Sequence, residues 1–548
     1  MRALKIIAVV IVVVLGGLFA GRKFILLHAL GWLTDIKHPR APNHPVPWQE
    51  GPAQPAVPLA QRPPNIVVIL ADDLGYNDVS LDGGIPQVPT PNIDAIAHDG
   101  VRFGLGYSGN AVCSPSRAAL MTGRYPTRFG FEFTPTPGNM AKVAPMIYAE
   151  EKHSLPVIVH PENAANIGDF NELGVPPSEM TIAEVLKPRG YHSVQIGKWH
   201  MGGTKELRPL GQGFDESLFM ESGLYLPVNS PEVENSMQDF DAIDRFLWPN
   251  MRYATSYNDG PWFEPKGYLT DYYTDEAVNV IHANRNRPFF LYLAHWAVHT
   301  PLQASKADFD ALASIPDHRA RVYAAMIRAL DRSVGRVTQA LKDEGLADNT
   351  IVVFTSDNGA PGYIALPENN KPFRGWKLTY FEGGVRVPYF AKWPGHIKPG
   401  STLDARVSSL DLLPTFAAAA GAELPKDRPY DGVNLLPYLS GQITTPPHDA
   451  IFYRDGSYRM VIANGWKLQS AERPKKEWLF HLDTDPTEKE NLIEKEPARR
   501  AELEKLLAEH DAQSVPPAWP SFVEFPVRID KTVTDPESGD DEYIYWQN

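Results

Sequence analysis

Four short runs of branched, aliphatic and aromatic residues set the rhythm of this chain. They are Asn65–Leu70 (NIVVIL), Tyr191–Ile196, Pro288–Ala294 and Thr350–Thr355. Near-continuous apolar character over six or seven residues predicts strands covered on both faces, because a strand with one wet face would alternate. Helical periodicity fills the gaps. Thr181 and Glu184 spell a capping box at the start of one helix. From about Asp317 to Glu344, Val322, Met326, Leu330, Val334, Val337 and Leu341 recur at helical spacing, and Gly345 supplies the stop. Strands alternating with helices predict an α/β fold: a large domain with a mostly parallel mixed sheet sandwiched by helices. Beyond about Thr445 the elements shorten. Tyr458–Ala463, Trp466–Gln469 and Trp478–Leu482 read as strands and Ala498–Asp511 as an amphipathic helix, so a smaller C-terminal α+β domain is expected. The acidic, aromatic tail from about Ser514 is expected to wrap the surface.

The N-terminus follows another pattern. Arg2 and Lys5 precede Ile6–Ala20, 15 residues without a charge, and Phe24–Leu33 is apolar again. This predicts an export signal or membrane anchor over residues 1–37, with an uncleaved anchor favoured because no small-x-small cleavage site stands out. Residues 38–64 hold nine prolines and predict a semi-rigid spacer that holds a soluble domain off a membrane. The expected organisation is therefore anchor 1–37, linker 38–64, large α/β domain 65–444, and smaller C-terminal α+β domain with tail 445–548. An exported protein, membrane-anchored or periplasmic, is implied, and the absence of an N-x-[ST] acceptor site agrees with a bacterial periplasm-facing chain.

Charge and cysteine usage narrow the chemistry. A formal net charge of -14 argues against nucleic-acid binding, since phosphate contacts need clustered Lys and Arg. An anionic substrate would need locally gathered cations. The one cysteine, Cys113, excludes an intramolecular disulfide and a Cys-rich zinc site. Taken alone, it reads as a small buried hydrophobe.

Each predicted strand ends in a polar cluster: Asp72 and Asp73, Lys198 and His200, His295 and His299, Asp357 and Asn358. Ligands of open parallel sheets bind beyond the carboxyl ends of the strands. Asp72, Asp73, Asp357 and Asn358 form an all-oxygen set, which suits Ca²⁺ or Mg²⁺ better than Zn²⁺. The alternative for each pair is an ordinary turn beside Gly75 or Gly359. In the Cys113 segment, Ser114 reads as the N-cap and Pro115 as the first residue of a helix that stops at Gly123. Cys113 would then precede a helix N-terminus, with Arg117 one turn along.

Cys113-Ser114-Pro115-Ser116-Arg117, followed by Leu120-Met121-Thr122-Gly123-Arg124, resembles the signature of the sulfatase family, formylglycine-dependent enzymes of the alkaline phosphatase superfamily. The likeness runs from Asn65 to about Leu507. It takes in Asp72-Asp73, Gly197-Lys198-Trp199-His200, His299-Thr300-Pro301-Leu302-Gln303, Ser356-Asp357-Asn358-Gly359, Arg374-Gly375-Trp376-Lys377 with Glu382-Gly383-Gly384, and Phe480-His481-Leu482-Asp483.

The resemblance implies hydrolysis of sulfate monoesters of small molecules or carbohydrates. A maturation enzyme would oxidise Cys113 to Cα-formylglycine. Asp72, Asp73, Asp357, Asn358 and the modified Cys113 would hold Ca²⁺ (or Mg²⁺). Arg117 would steady the hydrated aldehyde, His200 would accept its proton, and Lys198, Lys377 and His299 would bind sulfate oxygens and protonate the leaving group. His295 is expected in the core or behind the site, and Glu382 in a structural role. A phosphate or phosphonate monoester hydrolase of the same superfamily is the near alternative. Its two-zinc members place His where Asn358 stands, which argues against that version. An inactive membrane-tethered binding protein is the alternative of another class, and it predicts erosion of motifs that are all present here. Aromatic residues in 134–177 and 221–265, among them Tyr225, Trp248, Tyr253, Trp262 and Phe263, either wall a pocket or pack on the domain.

Overall fold

The computed structural model describes residues 21–85, 87–138, 140–148, 155–221 and 223–548. The apolar run Ile6–Ala20 therefore lies outside the described residues. Ten strands build the main sheet: β1 (Asn65–Ala71), β2 (Val101–Tyr107), β3 (His192–Gly197), β4 (Glu216–Met220), β5 (Thr255–Tyr257), β6 (Trp262–Phe263), β7 (Phe289–Ala294), β8 (Thr350–Ser356), β9 (Tyr389–Lys392) and β10 (Ser401–Ser408). Their order is β10-β2-β9-β8-β1-β7-β3-β4-β5-β6. The five central strands β8-β1-β7-β3-β4 are all mutually parallel, and antiparallel pairings lie on either side of them. The expected α/β class is thus observed.

The sheet is buried on both faces, as its apolar runs require. Val67 and Ile69 of β1 enter one core with α3 (Leu269–Ala283) and α4 (His318–Asp343). Ile66, Val68 and Leu70 enter the other with α2 (Cys113–Thr122) and the helix Leu412–Ala420. Burying each such aliphatic side chain contributes roughly 1.5–3 kcal/mol. At Thr181 the capping box forms: Glu184 N–H donates to Thr181 Oγ1 at 3.2 Å, and Thr181 N–H to Glu184 Oε2 at 2.8 Å. The helix α4 carries the predicted apolar stripe, and Asp317 caps it by accepting from Ala320 N–H at 2.8 Å.

A second, antiparallel sheet follows: β11 (Ala450–Asp455), β12 (Tyr458–Ala463), β13 (Trp466–Glu472) and β14 (Lys475–His481), covered by α5 (Pro497–Asp511). The tail does more than wrap the surface. Within it β15 (Val523–Arg528) pairs with β16 (Tyr543–Gln547) and with Ile158–Val159, far away in sequence.

The proline-rich segment also departs from expectation. It forms no strand and only a single short turn of helix at Leu59–Gln61, yet it does not stand off as a spacer. It lies on the domain, with Ala41 bonded to Trp262 O and Glu264 N–H, Trp48 Nε1 to Glu276 Oε2 at 2.6 Å, and Gly51 N–H to Ala283 O at 2.8 Å. Ahead of it, Arg22–Lys37 is helical and rests on the helix Ala242–Asn250. Among the described residues no helix is long and apolar enough to cross a membrane.

Candidate active site

Strands β1 and β8 run in parallel register, Ala71 opposite Ser356, so the acidic pairs that follow leave the sheet side by side. Strand β7 lies against β1 and β3 against β7, bringing His295, His299, Lys198 and His200 to the same rim. Asp73 and His200 adopt left-handed backbone, with φ of 62° and 63°, which is uncommon outside glycine and marks positions held by their surroundings. Asp73 N–H donates to Asp357 Oδ1 at 3.2 Å, and Leu74 N–H to Ser356 Oγ at 3.0 Å, tying the two loops together.

Cys113 is the first residue of α2, and Val112 is the N-cap without a side-chain bond. The expected cap at Ser114 is therefore corrected: Ser114 lies inside the first turn and its hydroxyl donates to the His200 carbonyl instead. Gly123 ends the helix in the left-handed conformation, as expected, with φ 64°. Cys113 Sγ lies 3.6 Å from Asp72 Oδ1 and 3.8 Å from Asp73 Oδ1, at the end of a helix whose free N–H groups favour anions.

The carboxylates are matched by cations. Arg117, fully buried, places its terminal nitrogen 2.7 Å from Asp357 Oδ2 and 3.3 Å from Asp72 Oδ2, and donates to the Lys198 carbonyl at 3.1 Å. Lys198 Nζ is 2.7 Å from Asp72 Oδ2, and Lys377 Nζ is 2.7 Å from Asp73 Oδ1. His299 Nε2 is 3.6 Å from Asp73 Oδ2, while its Nδ1 is 2.6 Å from the Thr300 carbonyl. Asn358 Nδ2 donates to Asp73 Oδ1 at 2.8 Å.

These neighbours set the protonation states. Burial opposes ionisation of Asp73, yet Lys377, His299 and Lys198 together hold its carboxyl below the usual range. Burial and the Asp72 charge raise Asp357 to about 6, against the pull of Arg117 and Lys198. Burial pushes the Cys113 thiol up to about 12, so the unmodified side chain is a poor nucleophile at neutral pH. Burial lowers His299 to about 3, against the raising effect of Asp73. It also lowers His200, with Lys198 and Arg117 adding to the effect. Both imidazoles are therefore neutral and able to accept a proton.

Asp72, Asp73, Cys113 and His299 present ligand atoms within 4.8 Å of one another. Asp357 is turned towards Arg117, and Asn358 keeps its Oδ1 buried without a hydrogen-bond partner. A buried amide oxygen without a donor, beside three carboxylates, is the donor chemistry a hard divalent cation satisfies. The residues present fit such an ion.

Nine of the ten residues expected from the sequence meet in direct side-chain contact, and His200 joins through its carbonyl. His295 is core: fully buried, with Nε2 2.8 Å from Ser333 Oγ. Glu382 is structural, bonded by Tyr107 Oη at 3.0 Å and Lys467 Nζ at 2.9 Å beneath the second sheet.

Sequence reasoning missed Tyr363 and Trp296. The Tyr363 hydroxyl donates to Asp73 Oδ2 at 3.3 Å. Trp296 stacks on His299 at 4.1 Å and faces Lys198 Nζ, 4.7 Å from its ring centre. An aromatic between His295 and His299 was a usable signal for Trp296; Tyr363 had none. The aromatics of 221–265 pack instead of lining a pocket: Tyr225 stacks on Tyr268, and Trp248 donates to Asp244.

A family model described as Sulfatase matches residues 64–422, and one described as N-sulphoglucosamine sulphohydrolase, C-terminal, matches 375–513. N-acetylgalactosamine-6-sulfatase of Homo sapiens is 37% identical over 413 residues, covering 74% of this chain and 71% of that protein. Steryl-sulfatase of Mus musculus is 32% identical, covering 74% and 69%. Arylsulfatase A of Bos taurus is 33% identical, covering 83% and 89%. Among solved structures, Ps i-CgsB superposes with a TM-score of 0.70 at 32% identity, covering 84% of this chain and 95% of its own. The same protein has been solved in complex with k-i-k-neocarrahexaose.

Proposed function

The chain belongs to the sulfatase family and is a sulfuric ester hydrolase, and from that premise we propose how its site performs the reaction. Position 113, oxidised to formylglycine by a separate maturation enzyme and hydrated, supplies the nucleophile. One hydroxyl gives its proton to a carboxylate beside it, Asp72 or Asp73, and its oxygen bonds to sulfur as the bond from sulfur to the alcohol oxygen breaks. The departing alcohol takes a proton from the Lys377 ammonium, with neutral His299 across Asp73 from it. His200 then accepts the proton of the second hydroxyl, the carbon–oxygen bond to the sulfated oxygen breaks, and sulfate leaves. Water rehydrates the aldehyde. Asp72, Asp73, Asp357, Asn358 and position 113 hold Ca²⁺ (or Mg²⁺), which supplies Lewis-acid stabilisation of charge on the sulfate oxygens. Arg117, Lys198 and Lys377 concentrate positive charge in an otherwise acidic protein.

The observation that carries this reading is the seat of Cys113: on the first turn of α2, within 3.8 Å of both Asp72 and Asp73. Relatives named for a sugar, a steroid and an aryl sulfate leave the alcohol open between small molecules and carbohydrates. We also assign residues 65–444 to the catalytic domain and 445–548 to a smaller second one, and take residues 1–37 as an export or anchoring segment. A sulfate-release screen over aryl, steroid and carbohydrate sulfates, with a phosphate ester as control, tests the reaction. Phosphate turnover far above every sulfate would overturn it. Peptide mass spectrometry after co-expression with a competent maturation enzyme tests the nucleophile, and an intact thiol in active enzyme would exclude it.

A further inference from the structure

The alcohol half of the substrate has no place in the charge cluster just described, but a cavity of about 600 Å³ opens beside it. That volume lies within the range of small-molecule sites, roughly 300–1,000 Å³. Lys377 and Tyr363 stand at one end, touching Asp73. Much of the facing wall comes from two distant parts of the chain: Leu155–Val157, and the tail residues Phe525, Val527 and Trp546.

The tail is fixed there. Arg374, three positions before Lys377, pairs with Asp530 at 2.5 Å and also with Glu542. Tyr545 Oη donates to the Pro156 carbonyl at 2.9 Å, joining the two outer walls. Ile529 and Ile544 are fully buried in the same cluster as Ala111 and Val112, immediately before Cys113. The tail hairpin is thus built into the catalytic end of the molecule.

The walls also define what they accept. They are largely aliphatic and aromatic. The tail's cations are already engaged, Lys531 Nζ lying 2.5 Å and an Arg528 nitrogen 3.7 Å from Asp541. A second sulfate or a carboxylate on the ligand would meet no unpaired tail cation.

Resting on the sulfatase reading above, we propose that β15–β16 and residues 155–157 form the subsite for the alcohol moiety, and that it takes a ring-bearing, mostly apolar alcohol with no second anionic group: an aryl or fused-ring sulfate. Burial of such rings drives binding.

The full-length matured enzyme is assayed with 4-nitrophenyl sulfate, estrone 3-sulfate and a disulfated galactosamine disaccharide. The expected order of kcat/KM places estrone sulfate first and the disaccharide last. Phe525→Ala and Val527→Asp should each lower the ratio of estrone sulfate to 4-nitrophenyl sulfate roughly 10-fold, as loss of hydrophobic pocket contacts does. In unaltered enzyme, estrone sulfate should slow hydrogen exchange in 523–528 and 543–547, a readout independent of whether the variants fold. A preference for the disaccharide, or tail variants that move all three substrates by one factor, or unaltered exchange in the tail, would overturn the subsite while leaving the sulfatase reading in place. Turnover of no sulfate ester at all would remove both.

Discussion

Arg117 is the side chain on which Asp72 and Asp357 both lean, and its removal would strand two buried carboxylates. Breaking a buried pair in this way typically costs about 3–5 kcal/mol. Arg117→Ala should therefore lower stability by that order in chemical denaturation, and Arg117→Lys should recover only part of it because one ammonium cannot reproduce the fork. An unchanged midpoint would mean that the carboxylates are compensated by something else. Cys113→Ala should cut sulfate release by at least about 10³-fold, as loss of a nucleophile does, with thermal unfolding little changed because Ala fits the same buried space. The ten candidate residues were legible because each follows a strand end or sits in a contiguous motif. Tyr363 was not: it reaches Asp73 only because the loop after β8 folds back over the site, and no local spacing announces such a return.

Asp78 shows how an element is held in place. Its Oδ2 accepts from Gly75 N–H at 2.7 Å and from Tyr323 Oη of α4 at 2.6 Å, while Oδ1 is buried without a partner. Burial raises its carboxyl to about 7 despite those bonds. In the unfolded chain the same group titrates near ~4. Between these values the folded state binds more protons, so the contribution of Asp78 to stability is fully present below about pH 4 and is lost as pH rises through about 7. Over that window the loss amounts to about 4 kcal/mol at most. Asp78→Asn should flatten the pH dependence of unfolding between pH 4 and 7, and an unaltered slope would refute the assignment. At this scale the sequence was read well where periodicity is local, as in β1, β8 and α4. It was read less well for β2, whose Gly104 and Gly106 break the apolar run, and for Ser114, where the helix begins two residues earlier than its cap residue implied. The pairing of β15 with Ile158–Val159 joins residues more than 350 apart in sequence, and nothing within either segment names its partner.

At the scale of the whole molecule, an ion held by the proposed ligand set would link folding to ion binding. Calcium at 100 times its Kd should stabilise the fold by about 2.7 kcal/mol, and a chelator should reverse the gain; calorimetric scans with added Ca²⁺, Mg²⁺ and chelator measure this, and superimposable scans would argue against a resident ion. The parallel architecture and the second domain were visible in the alternation of elements. The path of the proline-rich segment was not, because prolines forbid helix and sheet but leave open whether the chain stands free or lies against a neighbour. The seat of position 113 has a temporal consequence as well. Cys113 is 3% exposed, and the residues just before it share a core cluster with Ile529 and Ile544, which follow more than 400 positions later in the chain. On the proposed function, an oxidising enzyme would have to reach that sulfur before the hairpin closes over it, and a molecule that folded first would keep its thiol.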